Sequence, residues 1–185
     1  MLDDIQKDAD ARMRKTLDAT RDEMGRIRTG RATTALLDHL TVDYYGAPTP
    51  LNQVATVAVA DARTLTVQPW EKDMLAVIET AVQESDLGVN PVVAGAVMRI
   101  PLPPMTQERR LELGRLVKRE GENGKVAVRN IRRDAIHTVR ELLKEKEISQ
   151  DQQKRAEEAL QTLTDRHIAA IDAVVADKAR EVAEI

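Results

Sequence analysis

Cysteine and phenylalanine are absent from this 185-residue chain, and other aromatics are scarce, with two Tyr and one Trp. Without cysteine, disulfides, zinc–thiolate sites and thiol nucleophiles are excluded. Leu, Val, Ile, Ala and Met must therefore form the core. No apolar run approaches the roughly 18 residues of a membrane span. The start, Met1-Leu2-Asp3-Asp4, is acidic and lacks the apolar stretch of a secretory leader. The expected address is the cytoplasm, with no membrane partner. Catalytic signatures are missing as well. His39, His137 and His167 fall on different stretches, and no two sit four apart as metal ligands would. Each is expected at a surface or rim. There is no Gly-rich phosphate loop and no Gly-x-Ser-x-Gly. The expectation is a non-enzyme with no catalytic residue, metal, cofactor or small-molecule substrate.

What is abundant is charge, at 32% of residues, unevenly placed. Arg109 to Arg140 carries ten Lys/Arg against four Asp/Glu, a net of +6, although the whole chain is at −3. Glu141 to Ile185 is at −4, as is Arg31 to Met105. Local charge thus points to an anionic partner for one stretch only.

That stretch, Thr106 to Lys146, reads as one long helix. Leu113, Val117, Gly124, Val128, Ile131, Ala135, Val139 and Leu142 recur at steps of three, four or seven. At about 100° per residue they make one apolar seam. Arg115, Lys118, Lys125, Arg129, Arg132, Arg133 and Arg140 fall in a sector roughly 120° away. Lys125 has Arg129 at i+4, and Arg129 has Arg133. Such like-charge neighbours oppose the helix unless another molecule uses them. Arginine suits the planar fork of phosphate recognition. Aromatic stacking groups are absent from the stripe, so structured RNA read through its backbone is favoured over single strands. Gly121 and Gly124 lie inside this helix, Gly124 on the seam. They mark either close approach of another helix or tolerated loss of helix propensity.

Residues 2–28 form a second amphipathic helix, with Leu2, Ile5, Ala9, Met13, Leu17, Met24 and Ile27 as its stripe and Gly30 as its expected C-terminal cap. A third follows Ser149, whose Ser149-x-x-Gln152 has the form of a capping box. Between Arg31 and Met105 lie all seven prolines. There, Leu40–Tyr44, Val54–Val59, Thr64–Gln68 and Ala96–Ile100 read as strands. Met74, Val77, Ile78, Ala81 and Val82 give one helix its apolar face. Tyr45-Gly46-Ala47-Pro48 reads as a turn, and strand alternation puts one of Tyr44 and Tyr45 in and one out. Trp70 is expected to plug the core of this phenylalanine-free module.

The predicted fold is α+β with two domains. Residues 1–29 and 106–185 make a long antiparallel three-helix bundle. An inserted β/α/β module spans residues 31–104, joined through linkers 29–31 and 104–106. The linker residues Thr29, Gly30, Arg31, Pro104, Met105 and Thr106 are expected to act as a hinge.

Six motifs in order resemble the ribosome recycling factor family across the whole chain. They are Arg28-Thr-Gly-Arg-Ala32, Tyr44-Tyr-Gly-Ala-Pro-Thr-Pro-Leu51, Asp86-Leu-Gly-Val-Asn-Pro91, Arg99-Ile-Pro-Leu-Pro-Pro104 with Thr106 and Glu108-Arg-Arg110, Val126-Ala-Val-Arg-Asn-Ile-Arg-Arg-Asp-Ala135 and Lys146-Glu-Ile-Ser149. The resemblance implies an L-shaped monomer that binds the post-termination ribosome at the tRNA-binding region of the large subunit. With elongation factor G and GTP it would separate the subunits and release mRNA and tRNA. It implies ribosomal RNA contacts at Arg28, Arg31, Arg110, Arg129, Arg132 and Arg133. The competing class is a coiled-coil adaptor that binds a protein and no RNA.

Overall fold

A computed structural model describes residues 1–184. The chain divides into two compact units. One joins Met1–Arg28 to Gln107–Glu184, and the other is Thr29–Thr106.

The first unit contains three helices: α1 (Leu2–Arg26), α3 (Gln107–Lys144) and α4 (Gln150–Ala183). Each packs on the other two. Their apolar stripes meet in one core, with Ala9, Met13 and Leu17 from α1, Val128, Ile131, Ala135 and Val139 from α3, and Ala156, Leu160 and Ile171 from α4. The polar contacts fix direction. Arg12 reaches Asp134, whereas Thr20 lies beside Gly124, so α1 and α3 run antiparallel. With 38 residues α3 is about 57 Å long at 1.5 Å per residue.

The turn from α3 to α4 is held by backbone geometry. Lys146 takes a left-handed conformation (φ 61°). Glu147 N–H then donates to the Leu142 carbonyl and Lys146 N–H to that of Leu143, both at 2.9 Å. These are the paired bonds of a Schellman cap, with lysine where glycine is usual. Three residues later Ser149 Oγ accepts from Gln152 N–H at 3.2 Å, and Gln152 Oε1 accepts from Ser149 N–H at 2.8 Å. The capping box expected from sequence is present, and Ile148 between the two caps is buried.

The helix α3 runs unbroken through Gly121 and Gly124. A Cβ on Gly121 would overlap Val175 Cγ2, and one on Gly124 would lie 2.5 Å from Thr20 Oγ1. Close approach, rather than tolerated loss of propensity, accounts for both glycines. The C-terminal cap of α1 differs from expectation. The helix stops at Arg26, and Ile27 is extended (φ −74°, ψ 105°) with its side chain buried. Burying Ile27 decides where the helix ends. Gly30 has a positive φ of 76° but lies beyond the cap.

The second unit contains a hairpin, β1 (Thr41–Tyr44) and β2 (Ala47–Pro50). It also has a four-stranded antiparallel sheet of β3 (Ala55–Asp61), β4 (Thr64–Pro69), β5 (Val92–Ala94) and β6 (Val97–Pro101) in the order β3-β4-β6-β5. The helix α2 (Met74–Gln83) buries Met74, Ile78 and Val82 against the same core as Leu65 and Val67 of β4 and Met98 and Ile100 of β6. Leu65 pairs with Ile100 and Val67 with Met98 across the ladder, which fixes the register.

Trp70 is not a core plug. It is 65% exposed, and its indole N–H donates to Thr56 Oγ1 at 3.1 Å. Strand parity explains this. Leu65 and Val67 point into the core, so the even-numbered side chains after them, ending in Trp70, point out. The core closes without Trp70, on aliphatic side chains with Met74 and Met98, and the half-buried Tyr44 packs against it. Tyr45 is also exposed and sits at φ 49° in the β1–β2 turn, while Tyr44 is half-buried. Both phenols donate to Glu71, at 2.6 and 2.8 Å, and their rings meet edge-on with centroids 4.7 Å apart. These hydrogen bonds pull the Glu71 carboxyl below its usual range and push both phenols above theirs.

Candidate nucleic-acid interface

The charged sector of α3 is built by the same periodicity that builds its seam. Residues off the seam face outward, and here they are bases. Arg115, Lys118 and Arg133 are exposed and have no acidic partner among the described residues. The other four are held. Arg129 Nη1 lies 3.1 Å from Glu122 Oε1 on the same helix. Lys125 Nζ lies 3.0 Å from Asp172 Oδ1 of α4 and 3.5 Å from Glu122. Arg132 donates to Gln161 Oε1, and Arg140 Nε to Glu157 Oε1 at 3.0 Å, both again on α4. The hydrogen bond to Asp172 raises the Lys125 ammonium above its ordinary value. Arg129 draws the Glu122 carboxyl down. Glu157 is also lowered, first by the Gln153 amide and then by Arg140.

The six arginines singled out from sequence are therefore not alike. Arg129, Arg132 and Arg133 share one side of α3, and of these only Arg133 has no side-chain partner among the described residues. The Nε–H of Arg132 is buried without an acceptor, as is that of Arg110 near the start of α3. Burying one edge of a guanidinium fixes its plane and leaves the remaining N–H groups to aim outward. Arg28 is exposed two residues past the end of α1 and lines a cleft of about 340 Å³ with Glu23, Arg26, Arg109, Leu113 and Glu120. Arg31 is exposed in the second unit.

Two groups were missed in reading the sequence. Arg26 and Arg109 line the cleft beside Arg28, although each has an acid nearby, Glu23 at 2.7 Å and Glu112 at 3.0 Å. The α4 side chains Glu157, Gln161 and Asp172 were missed because a helical wheel of α3 alone does not show them. The short turn after α3 could have revealed them. It makes α4 antiparallel, so stepping back from Arg140 through Arg132 to Lys125 meets Glu157, Gln161 and Asp172 in ascending order.

His167 is not at a surface or rim. It is 4% exposed in the bundle, with Nε2 2.8 Å from Asp10 Oδ1. Arg14 and Arg166 converge on the same carboxylate at 2.7 and 2.9 Å. Asp10 is held below the usual carboxylate range, chiefly by the hydrogen bond to His167. The constellation joins α1 to α4 and is structural. Among the described residues, no helix is long and apolar enough to cross a membrane.

The sequence profile of the ribosome recycling factor family matches residues 20–182. A ribosome-recycling factor from Nitrosococcus oceani is 57% identical over 185 residues, covering all of this chain and 99% of the relative. One from Legionella pneumophila (strain Paris) is 54% identical over the full length of both chains. The solution structure of a ribosome recycling factor aligns with a TM-score of 0.64 at 40% identity, covering 100% of this chain and 98% of the other. A T. thermophilus ribosome recycling factor, described with E. coli elongation factor G on the E. coli post-termination complex, aligns with a TM-score of 0.59 at 44% identity, with 98% of each chain covered. A profile that spans most of the chain, and relatives more than half identical from end to end, establish that it belongs to the ribosome recycling factor family.

Proposed function

We propose that this chain recycles ribosomes after termination. It binds the large subunit across the tRNA-binding region through phosphates of ribosomal RNA. With elongation factor G and GTP it then separates the subunits and frees mRNA and tRNA. Family membership supports the role, as does the relative described with elongation factor G on a post-termination complex. The observation that carries the RNA contact is the basic sector of α3, where Arg115, Lys118 and Arg133 stand exposed and, among the described residues, without acidic partners, in a chain of net negative charge. Arg129, Arg132, Arg110 and Arg28 extend this surface within the bundle, and Arg31 adds a contact from the second unit.

The division of labour follows from stiffness. A rod of three packed helices transmits force along its length, and the bulky packing of Val175 and Thr20 against Gly121 and Gly124 keeps it closely knit. Bending is left to Thr29-Gly30-Arg31 and Pro104-Met105-Thr106, where Gly30 has a left-handed φ and Pro104 cannot extend a helix. The chain acts in the cytoplasm as a monomer and performs no bond chemistry itself, since the GTPase is its partner. Co-sedimentation with large ribosomal subunits across a salt series tests this. A phosphate contact weakens steeply as salt rises. An adaptor binding protein through the rod would be insensitive to salt and would leave the subunits in the supernatant.

A further inference from the structure

Both linkers of the second unit are tied to one turn, the one between β3 and β4. The Ala32 N–H donates to the Ala62 carbonyl at 2.8 Å, and the Leu102 N–H donates to the Arg63 carbonyl at 2.7 Å. Adjacent carbonyls thus hold the incoming chain and the outgoing chain. Ala32 is buried in the core of this unit and Leu102 packs against that core, so both tie points belong to its packed body. Farther out the two linkers stay close, since a Cβ on Gly30 would lie 3.6 Å from Met105 Cε.

One side chain organises the turn. Asp61 ends β3 and Thr64 opens β4, leaving Ala62 and Arg63 between them. Asp61 Oδ1 accepts from the Arg63 N–H at 2.9 Å, an arrangement by which aspartate fixes a tight turn. That N–H first, then the Thr64 hydroxyl and Arg99, draws the Asp61 carboxyl below its usual range. Ala62 and Arg63 are only half-buried, so the turn relies on hydrogen bonds more than on packing.

The consequence for bending is one of chain length. With residues 32 and 102 fixed, residues 29–31 and 103–106 are left to move. Two short strands that leave one anchor side by side bend together and resist twist. Loosening the turn lengthens both free segments at once, and each residue released adds two soft dihedrals.

We propose that Asp61 is a positioning residue for recycling: by fixing the β3–β4 turn it anchors both linkers side by side and confines bending to residues 29–31 and 103–106. This rests on the reading that these linkers are the hinge.

The test uses the full chain with Asp22→Cys and Gln83→Cys, exposed positions in the bundle and in the second unit, as nitroxide sites, since the chain has no other thiol. Double electron–electron resonance reads the spread of distances between them. Subunit splitting with elongation factor G and GTP is measured on the unlabelled chain at increasing concentrations. Asp61→Ala should broaden the distance distribution and lower the maximal splitting rate about two- to tenfold, the range one hydrogen bond commands. The half-saturating concentration should stay within about twofold, because the basic sector of α3 is untouched. Asp61→Asn keeps the acceptor and should restore both readouts. A distribution as narrow as the parent's in Asp61→Ala, or no recovery in Asp61→Asn, overturns the proposal. So does a lowered Tm with no broadening, the mark of a merely structural role. Pro104→Gly separates the two levels, because it loosens the linker itself. If it broadens the distribution and slows splitting while Asp61→Ala does neither, only this inference fails. If it changes neither readout, the hinge reading fails first.

Discussion

Glycine inside a long helix ordinarily weakens it by about 1 kcal/mol relative to alanine. On an exposed face, Gly→Ala is therefore stabilising. At Gly124 the sign should reverse. The new Cβ would lie 2.5 Å from Thr20 Oγ1 and 3.4 Å from Ile171 Cδ1. Thr20 is buried, and its hydroxyl donates to the Thr16 carbonyl at 2.9 Å. Rotating it away breaks that bond and leaves a buried hydroxyl seeking a partner, at about 1–3 kcal/mol. Overpacking a closed core costs about the same. Set against the gain of about 1 kcal/mol in propensity, Gly124→Ala should destabilise the bundle by ~1–2 kcal/mol. In a chain of this size that lowers Tm by about 2–8 °C. Thermal unfolding followed by far-UV circular dichroism reads it directly. A second background isolates the cause. With Thr20→Ala in place the obstructing oxygen is gone, and adding Gly124→Ala should then stabilise by ~1 kcal/mol. A higher Tm for Gly124→Ala in the parent, or the same change in both backgrounds, would refute close approach as the reason for this glycine.

Two further outcomes follow from the cap of α3 and the half-buried Asp10. Lys146 occupies a left-handed position at the end of α3 (φ 61°), so Lys146→Gly should raise stability by ~1 kcal/mol in denaturant unfolding, and a loss would contradict the assigned cap. Asp10 has a depressed folded-state pKa, so its contribution is present above the unfolded value near 3.9 and is lost as pH falls through the folded one. Asp10→Asn should lower stability near neutrality and flatten the acid loss that sets in as pH falls below about 4, and an unchanged acid slope would show that the carboxylate is not a source of it.

The helices were legible because their apolar positions repeat over many turns, and Leu113 through Leu142 admit no other period. The ends were less so. Arg28-Thr29-Gly30 looks like a helix stop, yet Ile27 leaves the helix first in order to be buried. In the second unit β3, β4 and β6 follow from runs of β-branched residues. Ala47-Pro48, the first half of β2, reads as part of a turn in the sequence, and Pro48 and Pro50 both argue against a strand. Both prolines share one side of the alternation, so Ala47 and Thr49 retain the N–H groups the ladder with β1 needs. The three-residue β5 is too short to show a period. Trp70 was misplaced by composition, which says that a core lacks aromatics but not which way a strand's next residue points.

The basic stripe was visible as charge, but its partition was not. Periodicity within α3 grouped Lys125, Arg132 and Arg140 with Arg133. Only the register against α4 separates the held bases from the free one. Pairing across helices depends on relative rotation and stagger, which no single-helix pattern encodes.

The central claim is that this surface binds ribosomal RNA through its backbone. The most direct test is the affinity of the parent and Arg133→Ala for large ribosomal subunits across a salt series. Among the described residues Arg133 has no acidic partner to lose, so the substitution would remove the proposed phosphate contact and little else. The expected result is steep weakening of the parent with salt, uniformly weaker binding of the variant, and a log–log slope shallower by about one. Parallel curves of equal affinity would contradict it.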